Sequence, residues 1–255
     1  MASASLSRSI SSSPTNPDKF TVSMWIKKSG QDAEQVLLGS YASANFRGKL
    51  QFKSDNKLEY YQVNDGSASA QVRTTRVFRD LSAWYHLVVQ FDTSQGTASN
   101  RIKIYVNGTQ ETAFDISSYP AQNLDIRLNQ ASQTLKIGQD GNSGNYFDGQ
   151  LAHVHLTDGQ TYAPTVFGET DATTGIWKPK TDPGISQANY GDDGFFLKFD
   201  NSANMGLDSS GQGNNFTTNG TIIQNKDTPS NVFNTLSPID IPTNSSGSSG
   251  TLPTL

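Results

Sequence analysis

Three histidines, four glutamates and no cysteine set narrow limits on the chemistry open to this chain. Hydrolysis of a glycosidic bond needs two carboxyl groups facing one another, about 5–5.5 Å apart or somewhat further. The glutamates are Glu34, Glu59, Glu111 and Glu169, and none is expected to belong to such a pair. There is no G-x-S-x-G elbow, no phosphate-binding glycine loop, no H-E-x-x-H helix and no cysteine nucleophile. No residue is put forward as catalytic, and the chain is expected not to be an enzyme. His153 and His155 fall on one strand face and could join His86 around a transition metal. Half-exposed histidines on a sheet need no ligand, and that plainer reading is preferred.

Aromatic side chains offer a different chemistry. Sugar binding would be expected from rings standing on an exposed sheet face or a loop rim. Trp25, Tyr60, Tyr61, Trp84 and Tyr105 are the candidates, read as lying on or near faces turned away from the core. Against this stands ordinary packing, because loops often cover the second face of a sandwich.

The elements that would position these residues are strands. In residues 84–108, Tyr85, Leu87, Val89 and Phe91 alternate on one face, then Ile102, Ile104 and Val106 do the same after a polar, glycine-containing loop. This is a β-hairpin, and Asn107-Gly108 then suits a tight turn into a third strand. Residues 20–28, FTVSMWIKK, alternate as cleanly. Shorter strands are expected at 35–40, 49–54, 57–63, 71–78, 135–138 and 146–156, with a last strong one at 194–200. Residues 115–133 read as a loop, and no helix of ordinary length is found. Strands at near-regular spacing with Gly, Asn and Asp turns imply an all-β, two-sheet antiparallel β-sandwich.

At 255 residues the chain fits one domain, expected at 19–237, with a flexible serine-rich arm at 1–18 and a flexible tail at 238–255. The net charge of −4 argues against a nucleic acid or an anionic membrane as partner. No apolar run is long enough for a membrane-spanning helix. The N-terminus lacks the apolar core of a signal peptide, so secretory export is not expected unless a precursor segment has been removed.

FTVSMWIKK, WYH, RIKIYVNG, LKIG and YFDGQL, in that order, resemble the laminin G-like, concanavalin A-like jelly-roll family over residues 20–159. The resemblance implies a jelly roll, which some relatives use for glycoside hydrolysis and many for binding. It also implies calcium at the sandwich rim, for which Asp140, Asn142 and Asp148 in and after the loop QDGNSGN are candidates, with Asp200 and Asp208 further on. Such residues in turns also serve the backbone, and no cofactor other than calcium is expected. In many of these domains a segment like LDSSGQGNNFT precedes the F-T strand. Here it follows, which implies a permuted strand order with the C-terminal strand beside residues 20–28. FRDLSAWYHLVVQFDT, FGETDATTGIWKPK, GFFLKFDNSA and DTPSNVFNTLSP further resemble a subgroup in proteins of tailed bacteriophages, marine ones especially. That resemblance implies a virion structural protein, a capsid decoration, head fibre or tail appendage, made in the host cytoplasm. Its partners would be other virion proteins, further copies of itself and host-surface polysaccharide. The alternative is a free-standing carbohydrate-binding lectin.

Overall fold

The computed structural model describes residues 3–230 and is built almost wholly of strands. In chain order they are β1 (Ser5–Ile10), β2 (Lys19–Lys28), β3 (Gln35–Ser43), β4 (Phe46–Phe52), β5 (Lys57–Asn64), β6 (Ser67–Val77), β7 (Tyr85–Asp92) and β8 (Ile102–Val106). There follow β9 (Thr109–Gln110), β10 (Phe114–Ser118), β11 (Gln133–Ile137), β12 (Gly149–Asp158), β13 (Gly168–Thr170), β14 (Trp177–Pro179), β15 (Phe195–Leu197) and β16 (Thr217–Asn219). The one α-helix among the described residues is α1 (Gln187–Tyr190).

Two antiparallel sheets make the sandwich. One has eight strands in the order β10-β6-β5-β4-β3-β11-β1-β16, the other six in the order β15-β12-β2-β7-β8-β9. The hairpin anticipated at residues 84–108 is β7 and β8, with Leu87 opposite Val106, Val89 opposite Ile104 and Phe91 opposite Ile102. Asn107 and Gly108 turn the chain at φ 49° and 80°, the left-handed values that a tight hairpin turn demands. Between the sheets lie Phe20, Val22, Met24 and Ile26 of β2, and Leu50, Phe52, Leu58, Tyr60 and Val72 of the facing strands. Phe20 stacks on Phe91 at 4.5 Å, and Tyr60 meets the edge of the same ring at 4.9 Å.

Three expectations need correction. Within residues 1–18, expected as a flexible arm, β1 is an interior strand of the eight-stranded sheet, paired with β11 and β16. Leu6 and Ile10 enter the core and Arg8 lies between them on the same face, half-buried near the rings of Phe195 and Phe216. Alternate serines hid this strand, because only two apolar residues mark its inner face. The C-terminal strands also sit elsewhere than expected. β12 separates β15 from β2, while β16 lies against β1, so the first and last strands meet in the eight-stranded sheet. Residues 115–133 are only partly a loop, since β10 opens the stretch and Ile126 and Leu128 reach the core. The tail reading at 238–255 and most of DTPSNVFNTLSP lie outside the described residues.

Candidate functional site

The two outer faces of the sandwich differ in kind. That of the six-stranded sheet is roofed by the segment carrying β13, β14 and α1. Trp25 is only 2 % exposed there and stacks on His86 at 4.6 Å. Trp177 of β14 closes over the same imidazole, its Nε1–H donating to His86 Nδ1 at 3.0 Å, while His86 Nε2 meets Ser23 Oγ at 2.9 Å. An indole nitrogen can only donate, so Nδ1 is the acceptor and Nε2 carries the proton. Burial pushes the imidazole down to about 3, which keeps it neutral. His155 is likewise held neutral by burial, stacked on Phe196 at 3.8 Å with Nδ1 against the Tyr190 hydroxyl. His86 and His155 are roof-packing groups, His86 with both ring nitrogens engaged and His155 with Nδ1, while His153 is half-buried beside Phe196.

Of the five aromatic candidates, the structure removes two from any ligand surface. Trp25 is buried against His86, which Trp177 covers, and Tyr60 points into the sandwich interior with no exposure. For Trp25 alternation gave the right side of the strand but not what covers it, and Tyr60 takes the inner side instead of the outer one. Trp84 is half-buried and its Nε1–H donates to Asp227 at 3.1 Å, with Lys27 on the same carboxylate at 2.7 Å. It anchors the chain beyond β16. Tyr105 is half-buried on the six-stranded sheet, the opposite sheet from Tyr61. The five are therefore not one cluster.

Tyr61 stands on the outer face of the eight-stranded sheet, half-buried as Tyr105 is, with no strand or helix of the described residues paired over it. Pairing across the strands sets Lys136, Gly39, Lys49, Tyr61, Gln71 and Ser118 in one row. Neighbouring strands are about 4.8 Å apart, so Lys49 to Gln71 spans ~10 Å. The adjoining row is Gln51, Glu59 and Arg73. Glu59 is buried there, its two oxygens accepting from Gln51 Nε2 and Gln71 Nε2, both at 2.8 Å. Gln51 Oε1 has no partner among the described residues, an unusual state for a buried acceptor. Three cations around Tyr61 are matched by carboxylates, Lys49 with Asp140 at 3.3 Å, Arg73 with Asp55 and Lys57 with Asp115, and Lys136 further along the row is balanced, among the described residues, only by the charge of Glu59. What remains is a ring among amides, with little net charge.

The glycine-rich loop walls this face on one side. Its Gly141 packs on β3 so closely that a Cβ on Gly39 would come within 2.6 Å of the Gly141 nitrogen. Asp140, a calcium candidate, gives its carboxylate to Lys49 and accepts from the Asn142 backbone N–H at 3.4 Å. Asp148 lies against Gly30 and Gln35 instead. Asp208 is a turn organiser, accepting from the backbone N–H groups of Phe196, Ser210 and Asn214 at 2.9 Å each. Among the described residues no three His, Cys, Asp or Glu side chains converge as metal ligands.

Every glutamate has an aspartate two or four positions away, namely Asp32, Asp55, Asp115 and Asp171, so spacing alone leaves a catalytic pair open. Each glutamate is engaged by a cation or, for Glu59, by amides. Glu34 meets Lys53, Glu111 meets Arg76 at 2.6 Å, and Glu169 and Asp171 share Lys178 at 3.8 and 2.8 Å. The register neighbours of Glu59 are Gln51 and Arg73, an amide and a guanidinium.

A family model described as the concanavalin A-like lectin/glucanases superfamily matches residues 4–167. No curated protein compared with the chain matches it. Among solved structures, a putative carbohydrate binding protein from Bacteroides ovatus is similar at 18 % identity and a TM-score of 0.52, over 89 % of this chain and 61 % of that one. The chain thus spans less than two thirds of the Bacteroides protein. A heptameric SAP-like pentraxin from Limulus polyphemus is 17 % identical with a TM-score of 0.45, over 64 % of this chain and 74 % of its own. At such identities the likeness is one of fold.

Proposed function

The chain belongs to the concanavalin A-like lectin/glucanases superfamily, and on that premise we propose that it is a non-enzymatic, lectin-like carbohydrate-binding module. The ligand face is the outer face of β4, β5 and β6 around Tyr61. The observation that carries this reading is a half-buried tyrosine ring beside Gln71, whose accessible carboxamide is held in place by the buried Glu59 at 2.8 Å. A sugar ring presents C–H groups on its flat sides and hydroxyls at its rim, so an aromatic face flanked by fixed amides suits it. The matched charges favour a neutral glycan over a phosphorylated or sulfated one. Binding on this face requires no metal, because the Lys49 ammonium already fills the position on Asp140 that a cation would take. A panel of neutral and acidic polysaccharides, tested against the wild type and Tyr61→Ala, examines the proposal directly.

A second, more specific reading is that the module is displayed on the particle of a tailed bacteriophage. Its support is the sequence resemblance through FRDLSAWYHLVVQFDT, FGETDATTGIWKPK and LDSSGQGNNFT. In that setting the Tyr61 face meets host-surface polysaccharide, and other virion proteins or further copies of the chain hold the module in place. Mass spectrometry of purified particles should find it in fixed copy number, and its absence from them would remove this reading while leaving the first intact.

A further inference from the structure

Lys28 ends β2 on the strand's inward side and is 1 % exposed. Its ammonium nitrogen lies 4.6 Å over the ring of Phe52. Taking a lysine head group out of water is costly unless acceptors meet it, and here there are two: Asn56 Oδ1 at 2.8 Å and the Phe78 carbonyl at 3.3 Å. Asn56 belongs to the turn between β4 and β5, in the opposite sheet. It is equally buried, and its own backbone is fixed at φ 62° with N–H bonded to Lys53 and C=O to Phe78. The carboxamide therefore has one orientation. Asp32 grips it from the other side: Asn56 Nδ2–H donates to Asp32 Oδ1 at 2.8 Å, and the Asp32 backbone N–H donates to Asn56 Oδ1 at 3.2 Å.

An amine, a carboxamide and a carboxylate held in this order in an aromatic-lined site are the components of an acyl transfer. We propose that Lys28 and Asn56 join in an intramolecular isopeptide bond, with Asp32 moving the proton and ammonia leaving. The lone pair of Lys28 Nζ attacks Asn56 Cγ, and a C–N bond forms while the carbonyl pair moves to Oδ1. The backbone N–H of Asp32 stands where that negative charge develops, as an oxyanion donor must. In the tetrahedral adduct Nζ and Nδ2 share one carbon, so the Asp32 carboxylate, already hydrogen-bonded to Nδ2–H, takes the proton lost by Nζ and delivers it to Nδ2. The Cγ–Nδ2 bond then breaks. The sum is amine plus primary amide giving secondary amide plus ammonia, with no oxidant or co-reactant. Burial supports the step by pushing the Lys28 amine down to about 8, so a fair share is free base near neutral pH, as desolvated nucleophilic lysines require. Fixed geometry supplies the rest, since a held pair needs no further encounter.

The bond would pin β2 of one sheet to the β4–β5 turn of the other, restraining the unfolded chain as a disulfide does. The test is the intact mass of the purified full chain, followed by tandem mass spectrometry of its proteolytic peptides. Expected is a mass below that of the sequence by one ammonia, with a branched peptide joining the Lys28 segment to the Asn56 segment. Lys28→Met and Asn56→Ala should show the full mass expected for their sequences. Asp32→Ala, at an exposed position, should fold and also remain unlinked. Mass is read equally well from a variant that fails to fold. A wild-type chain of full mass, or a deficit of ammonia with the two segments separate, overturns the proposal; a linked Asp32→Ala chain overturns the role given to Asp32.

Discussion

The indole N–H of Trp177 donates to Nδ1 of His86 across 3.0 Å, joining the roof hairpin to the middle of the six-stranded sheet. That bond fixes the imidazole tautomer, and Ser23 accepts from the other nitrogen. Removing the indole in Trp177→Phe leaves a buried acceptor unsatisfied, which costs about 1–3 kcal/mol before any loss of packing is counted. Urea denaturation at neutral pH should show that loss, with the Tyr61 face unaffected.

Acid should unfold the protein partly through the same histidine. His86 is pushed down to about 3 in the fold, against about 6.5 in the unfolded chain. Its contribution to stability is therefore full above pH 6.5 and lost as pH falls from there towards 3, by up to about 1.4 kcal/mol per pH unit. His155 shifts the same way. Denaturant midpoints measured from pH 7 to pH 4 should fall steeply, and His86→Gln should flatten the slope.

The Arg8 guanidinium donates to the Asp193 carbonyl at 2.9 Å and lies 3.6 Å from its carboxylate, both side chains being nearly inaccessible. Burial pushes Asp193 up to about 6 despite Arg8. Breaking such a pair from one side costs about 3–5 kcal/mol, and Arg8→Met should approach that at pH 7. With the folded value raised above the unfolded one, the penalty of the charged carboxylate is absent below about pH 4, builds as pH rises towards 6 and is complete above it, and without Arg8 the rise continues to higher pH. The deficit of Arg8→Met should accordingly shrink between pH 7 and pH 5. Thermal melts at the two pH values decide it.

Gly39 tests how the wall beside Tyr61 is set. A methyl group there would strike the backbone of Gly141 and Gln139 at 2.6 and 2.8 Å, and neither can yield as a flexible side chain would. Gly39→Ala should cost about 1–3 kcal/mol, the usual range for overpacking. Gly96→Ala, where nothing lies within 4 Å, is the matched control. Hydrogen exchange should speed up in residues 139–144 in the first variant alone.

The hairpin of β7 and β8 was legible because both strands alternate strictly and a recognisable turn follows. β1 was not, because Arg8 takes a core position that reads as polar. Tyr60 and Tyr61 illustrate the limit at single residues: neighbours on a strand must face opposite ways, and only the position of Leu58 and Gln62 beside Tyr60 shows which one enters the core. Trp25 and His86 were placed on the correct face, but the roof over them comes from residues far along the chain with no period of their own. The Lys28–Asn56 contact spans the two sheets and leaves no trace in local spacing.

The most direct measurement is calorimetric titration of the intact protein with the best-binding glycan from a polysaccharide panel, repeated with Tyr61→Ala and Tyr105→Ala. The Tyr61 ring is half-buried on the outer face and outside the core, so its removal should leave the melting temperature nearly unchanged. Affinity should fall at least about tenfold, equivalent to 1.4 kcal/mol, in Tyr61→Ala and stay at the wild-type value in Tyr105→Ala. Unaltered binding by a folded Tyr61→Ala, or no binding of any glycan by the wild type, would contradict the assignment of this face as the ligand site.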